Sequence, residues 1–395
     1  MPSLLRAIPE EQEPGADWSA LPAIVAALAS RAGRHDEDGS FPFENFPLLH
    51  KHGFLNLVIP RRYGGAGGGL LDALRALQEI GRGDAATGLV VAMHYNAHGN
   101  LARHCDWPQD VYERVVRSSI EGVALINGLA AEPILGAPAR GGQFQTVAAE
   151  EREGWRIDGH KFCCTGSAGL TWMTVSAKTQ DGKFNGSWLV PADAPGVRII
   201  EGSWNQTGMR ATASNEVVFE NVFVPKNHCL GLWDPTISYG KSQQSGAWFA
   251  LTISAVYLGA ARAAQDFLLD YVKKRTPTSL GAPLSELPRI RERVGQVEIL
   301  LRGAERLLRG IAGDYDRNET ITANDVGVVK QIVRENTIEA TELAIQTIGG
   351  PGFDKKYPIE RHLRDVLVSR AHGPQFDSSC LGLANELLGP IERKV

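Results

Sequence analysis

The amino-acid sequence predicts a mainly α, α+β protein of three packed units, in the order helices, compact β domain, helices. Three observations carry this. At 395 residues the chain is longer than one hydrophobic core supports, so it divides into more than one unit. Apolar residues recur at three- and four-residue spacing near both ends, the period of a helix with one buried face. Between them the texture changes to short apolar runs bounded by Gly, Asp, Asn and Pro, which reads as strands and turns. The expected boundaries are 1–121 for the N-terminal helical domain, 122–232 for the β domain and 233–395 for the C-terminal helices.

In the first unit the helical period is clearest in "LPAIVAALASRAG" from Leu21 and "LLDALRALQEIGRG" from Leu70. Between them "IPRRYGGAGGG" (Ile59 to Gly69) interrupts the pattern. Its glycines lack the strand-to-helix context of a dinucleotide-binding fingerprint, so it reads as a flexible turn between helices. The strand candidates are "QTVAAEE", "GWRIDG", "WMTVSAKT", "GSWLVPA" and "NEVVFENVFVP", all between Gln145 and Pro225. "SQQSGAWFALTISAVYLGAA" (Ser242 to Ala261) has the length of a membrane span, but Gln, Ser, Thr and Gly run through it, so a buried helix is expected. Two more long helical periods follow, from Leu287 to Asp316 and from Thr322 to Ile348.

A net charge of −4 without a long run of one sign marks no nucleic-acid or anionic-membrane surface. Small neutral or acidic partners remain open. The five cysteines, Cys105, Cys163, Cys164, Cys229 and Cys380, are odd in number and scattered apart from one adjacent pair. That spacing suits neither a disulfide framework nor a metal centre, and a reducing cytoplasm is expected. The N-terminus "MPSLLRAIPEEQEPG" has acids and prolines where a secretion signal has a basic start and an apolar run.

Five separated motifs, in order, resemble the acyl-CoA dehydrogenase superfamily. They are "GFLNLVIPRRYGGAG" with "EIGRGDAATG", "AEP" (Ala131 to Pro133), "DGHKFCCTGS" (Asp158 to Ser167), "GMRATASNEVVFENVFVP" (Gly208 to Pro225) and "QTIGGPGFDKKYPIERHLRD" (Gln346 to Asp365). The resemblance implies a β-barrel-like central domain, a C-terminal four-helix bundle, a flavin held between domains and across a subunit contact, and a homotetramer. It further implies that Thr165 faces the flavin and that Trp172 packs on its ring. Gln346, Gly349 and Gly350 match a segment that meets the dinucleotide half of FAD from a neighbouring subunit, and Arg275 lies in the arginine segment that contacts it. Arg210 and Thr212 fall at the edge of the β domain beside the expected cleft.

The departures from the family pattern bear on chemistry. Dehydrogenation removes a proton beside a thioester carbonyl, which requires a positioned carboxylate base. Gly373 stands at the usual glutamate position and Thr252 at the alternative one used by some relatives. After "AEP" the usual Gly-Ser-Asp turn is replaced by "ILGAPARGG", with Ala137 near the usual serine, and the segment after Arg275 carries an extra residue and Pro288. These changes fall on contacts to the adenosine half of FAD, which leaves FMN and FAD both open.

In "AHGP", His372 resembles a histidine segment of the superfamily's flavin-dependent monooxygenases, the dibenzothiophene and organosulfur branch. These take reduced flavin from a separate reductase and react it with O2. Such chemistry uses a histidine and a dry pocket, not a carboxylate base. His94 lies in the helical region that borders the flavin pocket in relatives, and His98 is one helical turn on. The expected function is thus a two-component monooxygenase acting on a small sulfur, nitrogen or aromatic compound. The alternatives are an acyl-CoA dehydrogenase with a non-standard base, and a non-catalytic binding protein that retains the fold.

Overall fold

A computed structural model describes residues 15–135, 142–236 and 243–390, with the side chains of 243–245 left aside. The first fourteen residues, Ala137 and residues 237 to 242 lie outside the described residues. Five helices come first: α1 (Leu21–Asp38), α2 (Asn45–Lys51), α3 (Leu70–Gly83), α4 (Ala85–Arg103) and α5 (Gln109–Glu121). Helix α3 gives way to α4 at Asp84, whose extended backbone breaks the helix. Its carboxylate accepts the free N–H groups of Ala86 and Thr87 at 3.2 and 3.1 Å, starting the next one.

The glycine-rich segment is not a flexible turn. Ala66, Gly67 and Gly68 donate backbone hydrogen bonds to Asn56, Ile59 and Leu57 at 3.1, 2.9 and 2.8 Å. The Asp316 carboxylate, 246 and 245 positions further along the chain, caps the N–H groups of Leu70 and Leu71 at 2.9 Å each. Tertiary hydrogen bonds thus hold a segment whose composition alone suggests freedom.

The β domain comprises β1 (Leu125–Leu129), β2 (Val147–Glu150), β3 (Gly154–Lys161), β4 (Leu170–Thr179), β5 (Asn185–Pro191), β6 (Val197–Ile200), β7 (Glu216–Pro225) and β8 (Cys229–Trp233). They form a mixed sheet in the order β6-β7-β3-β2-β4-β5-β8, with β1 parallel to β4. The sequence pattern does not show β1, β6 or β8. Each is four or five residues long and is defined by a partner elsewhere in the chain, such as Ile126 opposite Trp172.

The C-terminal unit is built on α6 (Gln243–Lys274), α7 (Pro288–Asp316) and α8 (Ala323–Ile348), with α9 (Ile359–Val368) packed on α6 and α8, and α10 (Phe376–Leu388) packed on α8. Residues Gly246–Lys274 of α6 are long and apolar enough to cross a membrane, yet 83% of their most apolar window is buried inside the protein. This is the central helix of the core. It lies backbone-to-backbone against α3: a Cβ on Gly259 would stand 2.1 Å from the Gln78 carbonyl oxygen, and one on Gly81 would stand 2.5 Å from that of Val256. Only glycine permits this approach. The close contact fixes the face of α6 that meets the C-terminal loop.

Candidate active site

The site is built first around His372, in the loop between α9 and α10. Two aromatic side chains of α6 enclose it: Phe249 meets the imidazole edge-on with ring centroids 6.5 Å apart, and the Tyr257 hydroxyl lies 2.8 Å from Nδ1. Helix α8 holds the loop backbone. Lys330 Nζ donates to the carbonyls of His372 and Pro374 at 2.8 and 2.9 Å, and Gln331 Nε2 donates to Pro374 at 2.8 Å. The Gly373–Pro374 peptide is cis. Burial, and secondarily the Lys330 ammonium, lower the imidazole pKa to about 4, so the ring is neutral at pH 7. Lys330 is itself lowered to about 8 by burial.

A second group of polar side chains gathers where two turns of the β domain meet. Thr165 Oγ1 lies 3.0 Å from Ser214 Oγ, which lies 2.8 Å from Thr212 Oγ1, which donates to the Met209 carbonyl at 2.9 Å. Asn127 of β1 donates to the Thr165 carbonyl at 2.9 Å. Cys163, Met209 and Ala213 adopt left-handed backbone angles around this cluster, with φ of 54°, 53° and 44°. Strained non-glycine residues concentrate where the surrounding structure enforces a functional geometry. Nearby, the buried Glu132 carboxylate takes Lys161 Nζ at 2.6 Å, Thr146 Oγ1 at 2.6 Å and the Gln145 N–H at 2.6 Å, tying both ends of the segment after "AEP" to β3.

The two groups meet at Met209. Its N–H donates to Asp365 Oδ1 of α9 at 2.7 Å, and Asp365 is near enough to Tyr257 to help raise that phenol's pKa, after burial. Burial pushes the Asp365 carboxyl up to about 7. Hydrogen bonds join His372 to Tyr257, and Asp365 through Met209 to Thr212, Ser214 and Thr165, while Tyr257 and Asp365 sense each other only through charge. Sequence reasoning did not single out Tyr257, Lys330 or Asp365. An aromatic in an apolar helical run looks like core, and only its hydroxyl partner reveals more.

Other expected site residues lie elsewhere. Trp172 is core: its ring packs among Val111, Val115, Ile126 and Leu189, and its indole N–H donates to Ser118 at 2.9 Å. Arg210 lies not on a strand edge but in a 3-10 turn, Arg210–Thr212, where it donates to the carbonyl of Asp36 at 2.6 Å at the C-terminal end of α1. That is a helix-capping role. His94 and His98 share a face of α4 with ring centroids 4.6 Å apart. His94 Nε2 donates to the Leu55 carbonyl at 3.0 Å, and its Nδ1 is buried without a partner among the described residues. His98 is fully buried, 3.4 Å from the Ser119 hydroxyl, and opens on no cleft among the described residues. His94 is the closer of the two to the hydroxyl cluster, one turn past Val90, which packs on Gly166.

The chain matches the acyl-CoA dehydrogenase N-terminal domain over residues 23–107, the middle domain over 129–222 and the C-terminal domain over 251–374. YdbM of Bacillus subtilis (strain 168), an acyl-CoA dehydrogenase family protein, is 31% identical over 361 residues, spanning 91% of this chain and 92% of YdbM. The chain belongs to the acyl-CoA dehydrogenase family. Among solved structures, butyryl-CoA dehydrogenase from Megasphaera elsdenii superposes with a TM-score of 0.83 at 20% identity, covering 94% of this chain and 97% of the other. FMN-bound TdsC from Paenibacillus sp. A11-2 superposes with 0.81 at 21%, covering 94% and 96%. At such identities these two likenesses establish the fold alone.

Members of the acyl-CoA dehydrogenase superfamily are flavin oxidoreductases, and the hydroxyl cluster of this member fits a flavin's polar edge. If the Thr212 proton turns from the Met209 carbonyl to Ser214, and the Ser214 proton to Thr165, the Thr165 proton is free to point outward as a donor. Arg275, Gln346 and Gly350 are exposed, as is the space beside Gly349 and Gly350, where a Cβ would meet nothing. Arg275, just past the end of α6, lies eighteen residues beyond Tyr257, about 27 Å at helical rise, so this group does not join His372 within one chain. At the two positions where relatives are expected to carry a carboxylate, a Cβ on Gly373 would meet open space, and the buried Thr252 hydroxyl is spent on the Trp248 carbonyl at 2.5 Å. Two cavities, of about 580 Å³ between α7 and α8 and about 460 Å³ beside Arg156 and Phe223, include none of these residues.

Proposed function

We propose that the protein is a two-component flavin-dependent monooxygenase that uses reduced flavin and O2 on a small sulfur, nitrogen or aromatic compound, the reduced flavin coming from a separate reductase. One observation carries this reading. The loop that bears the base in the family's dehydrogenases here holds a neutral imidazole backed by Tyr257 and Phe249, with Gly373 at the glutamate position. A half-buried imidazole with its pKa lowered to about 4 is a poor base for a carbon acid but a ready hydrogen-bond donor to an oxygen atom. A bound reduced flavin would supply the two electrons that let one oxygen atom enter the substrate and the other leave as water. The protein's share is to hold the Thr165 hydroxyl and the His372 imidazole in place, and to keep water off the imidazole with Phe249 and Tyr257. TdsC is FMN-bound and has this fold, which supports FMN as one of the two flavins to test.

A second reading, an FAD-dependent acyl-CoA dehydrogenase with an unusual base, is favoured by the similarity to YdbM. One experiment separates the two. The protein is titrated anaerobically with reduced FMN and reduced FAD, then mixed with O2 and a panel of thioethers, amines and aromatics. A parallel sample with oxidised flavin receives acyl-CoA thioesters. The expected result is oxygenated product and no thioester-driven flavin bleaching, with His372→Ala keeping its reduced-flavin affinity but losing ~10²–10⁴-fold in rate. Thioester oxidation at ~1–10³ per second, or normal turnover by His372→Ala, overturns the reading. Binding of no flavin in either redox state points to a non-catalytic protein.

A further inference from the structure

We infer that Tyr257 is a positioning residue that fixes the tautomer of His372, so that Nε2 carries the proton and faces outward as the donor.

The argument is a count of protons. The Tyr257 hydroxyl and His372 Nδ1 are 2.8 Å apart, and one of them must donate. If Nδ1 donated, the phenolic proton would need another acceptor, and Tyr257 has none among the described residues. It is fully enclosed in α6, 2% exposed, so water does not substitute. An unmatched buried hydroxyl costs about 1–3 kcal/mol. The phenol therefore donates to Nδ1. The neutral ring carries its single proton on Nε2, which has no partner among the described residues. The neighbours support this direction of donation. Burial, and after it the Asp365 charge, keep the phenol un-ionised, so its proton is present to be donated. Lys330, bonded to the His372 and Pro374 carbonyls, holds the loop so that the ring cannot swing away, while Phe249 limits its rotation.

The test has two arms with separable failures. The first needs neither flavin nor substrate: nitrogen-15 solid-state NMR of the full-length protein with labelled histidine, the His372 signals being identified by their disappearance in His372→Gln. Nδ1 should resonate as an unprotonated nitrogen and Nε2 as a protonated one, and Tyr257→Phe should move both toward an averaged or reversed pattern. A wild-type ring protonated at Nδ1, or a pattern unchanged in Tyr257→Phe, overturns the inference; if Tyr257→Phe does not fold, the wild-type spectrum alone still decides. The second arm rests on the function proposed for His372. Tyr257→Phe should lower kcat by about 10²-fold with KM unchanged, whereas a merely structural residue would shift the melting temperature and leave the ratio of kcat to KM intact. Failure of the wild type to turn over any substrate in the panel overturns that function while the tautomer result stands.

Discussion

At the residue scale the clearest feature is the number of histidines kept neutral by burial. His94 and His372 are lowered to about 4 and His362 to about 3, and His98 lies well below the usual value, burial being the first cause in each. In the unfolded chain each takes up a proton near pH 6.5. Between about pH 6.5 and 4 the unfolded state therefore binds more protons than the native state, and stability falls as the pH falls. Asp365 acts in the opposite sense. Its folded pKa of about 7 exceeds the unfolded 3.8, so its contribution is lost as the pH rises through that window. Four groups outweigh one. Urea midpoints should drop steeply from pH 7 to pH 5, at up to ~1.4 kcal/mol per pH unit for each net proton, and His94→Phe should flatten the slope. Equal midpoints at the two pH values would refute this account.

The same scale shows why some site residues are legible in sequence and others are not. Thr165 and His372 stand in motifs, so a linear reading reaches them. Tyr257 and His372 are 115 positions apart, and nothing in "TISAVYLGAA" distinguishes a core tyrosine from one aimed at a loop. Trp172 and Arg210 erred in the other direction. Large or charged residues beside a motif attract a functional reading, while the structure spends Trp172 on Val111 and Leu189 and Arg210 on the end of α1.

At the element scale the helix-to-helix contacts set the geometry of the site. Helix α6 presents Phe249 and Tyr257 to the C-terminal loop only because its opposite side lies directly on α3 at Gly81 and Gly259. A side chain at Gly259 has no room, since it would collide with the backbone carbonyl of Gln78 and the N–H of Arg82, and backbone does not rotate away. Gly259→Val should therefore destabilise the fold by about 3 kcal/mol or more, the upper part of the range for overpacked cores. Gly295→Ala, on α7 with nothing near its Cβ, should be neutral or slightly stabilising. Thermal melts of both variants check this, and equal melting temperatures would count against the close-contact argument.

At the scale of the whole molecule the surface of the bundle is unfinished. Helix α10 buries only Ser379, while Phe376, Leu381, Leu387 and Leu388 are 54%, 51%, 80% and 86% exposed. An apolar helix this open is stabilised by covering it. The end of the bundle that carries Arg275, Gln346 and Gly350 is likewise open, about 27 Å along α6 from the level of Tyr257. We predict a homotetramer built as a dimer of dimers, with α10 in an interface. Light scattering should give about four times the 42.8 kDa chain mass, and Leu381→Glu with Leu387→Glu should lower the oligomeric state. A monomer at micromolar concentration would overturn this.

The sequence by itself determined the architecture and the family, because both are written in local signals. Helical period, strand texture and motif order each depend on residues within a few positions of one another. Through the family resemblance it also gave the expectation that Gly373 and Thr252 stand where relatives carry a carboxylate. Tertiary structure alone decided which groups act together. The pairing of Tyr257 with His372, the anchoring of that loop by Lys330, the capping of α3 by Asp316 and the parallel pairing of β1 with β4 all join residues dozens to hundreds of positions apart. The physical reason is that hydrogen-bond donors and acceptors find partners by proximity in space, and burial then makes each pairing nearly obligatory.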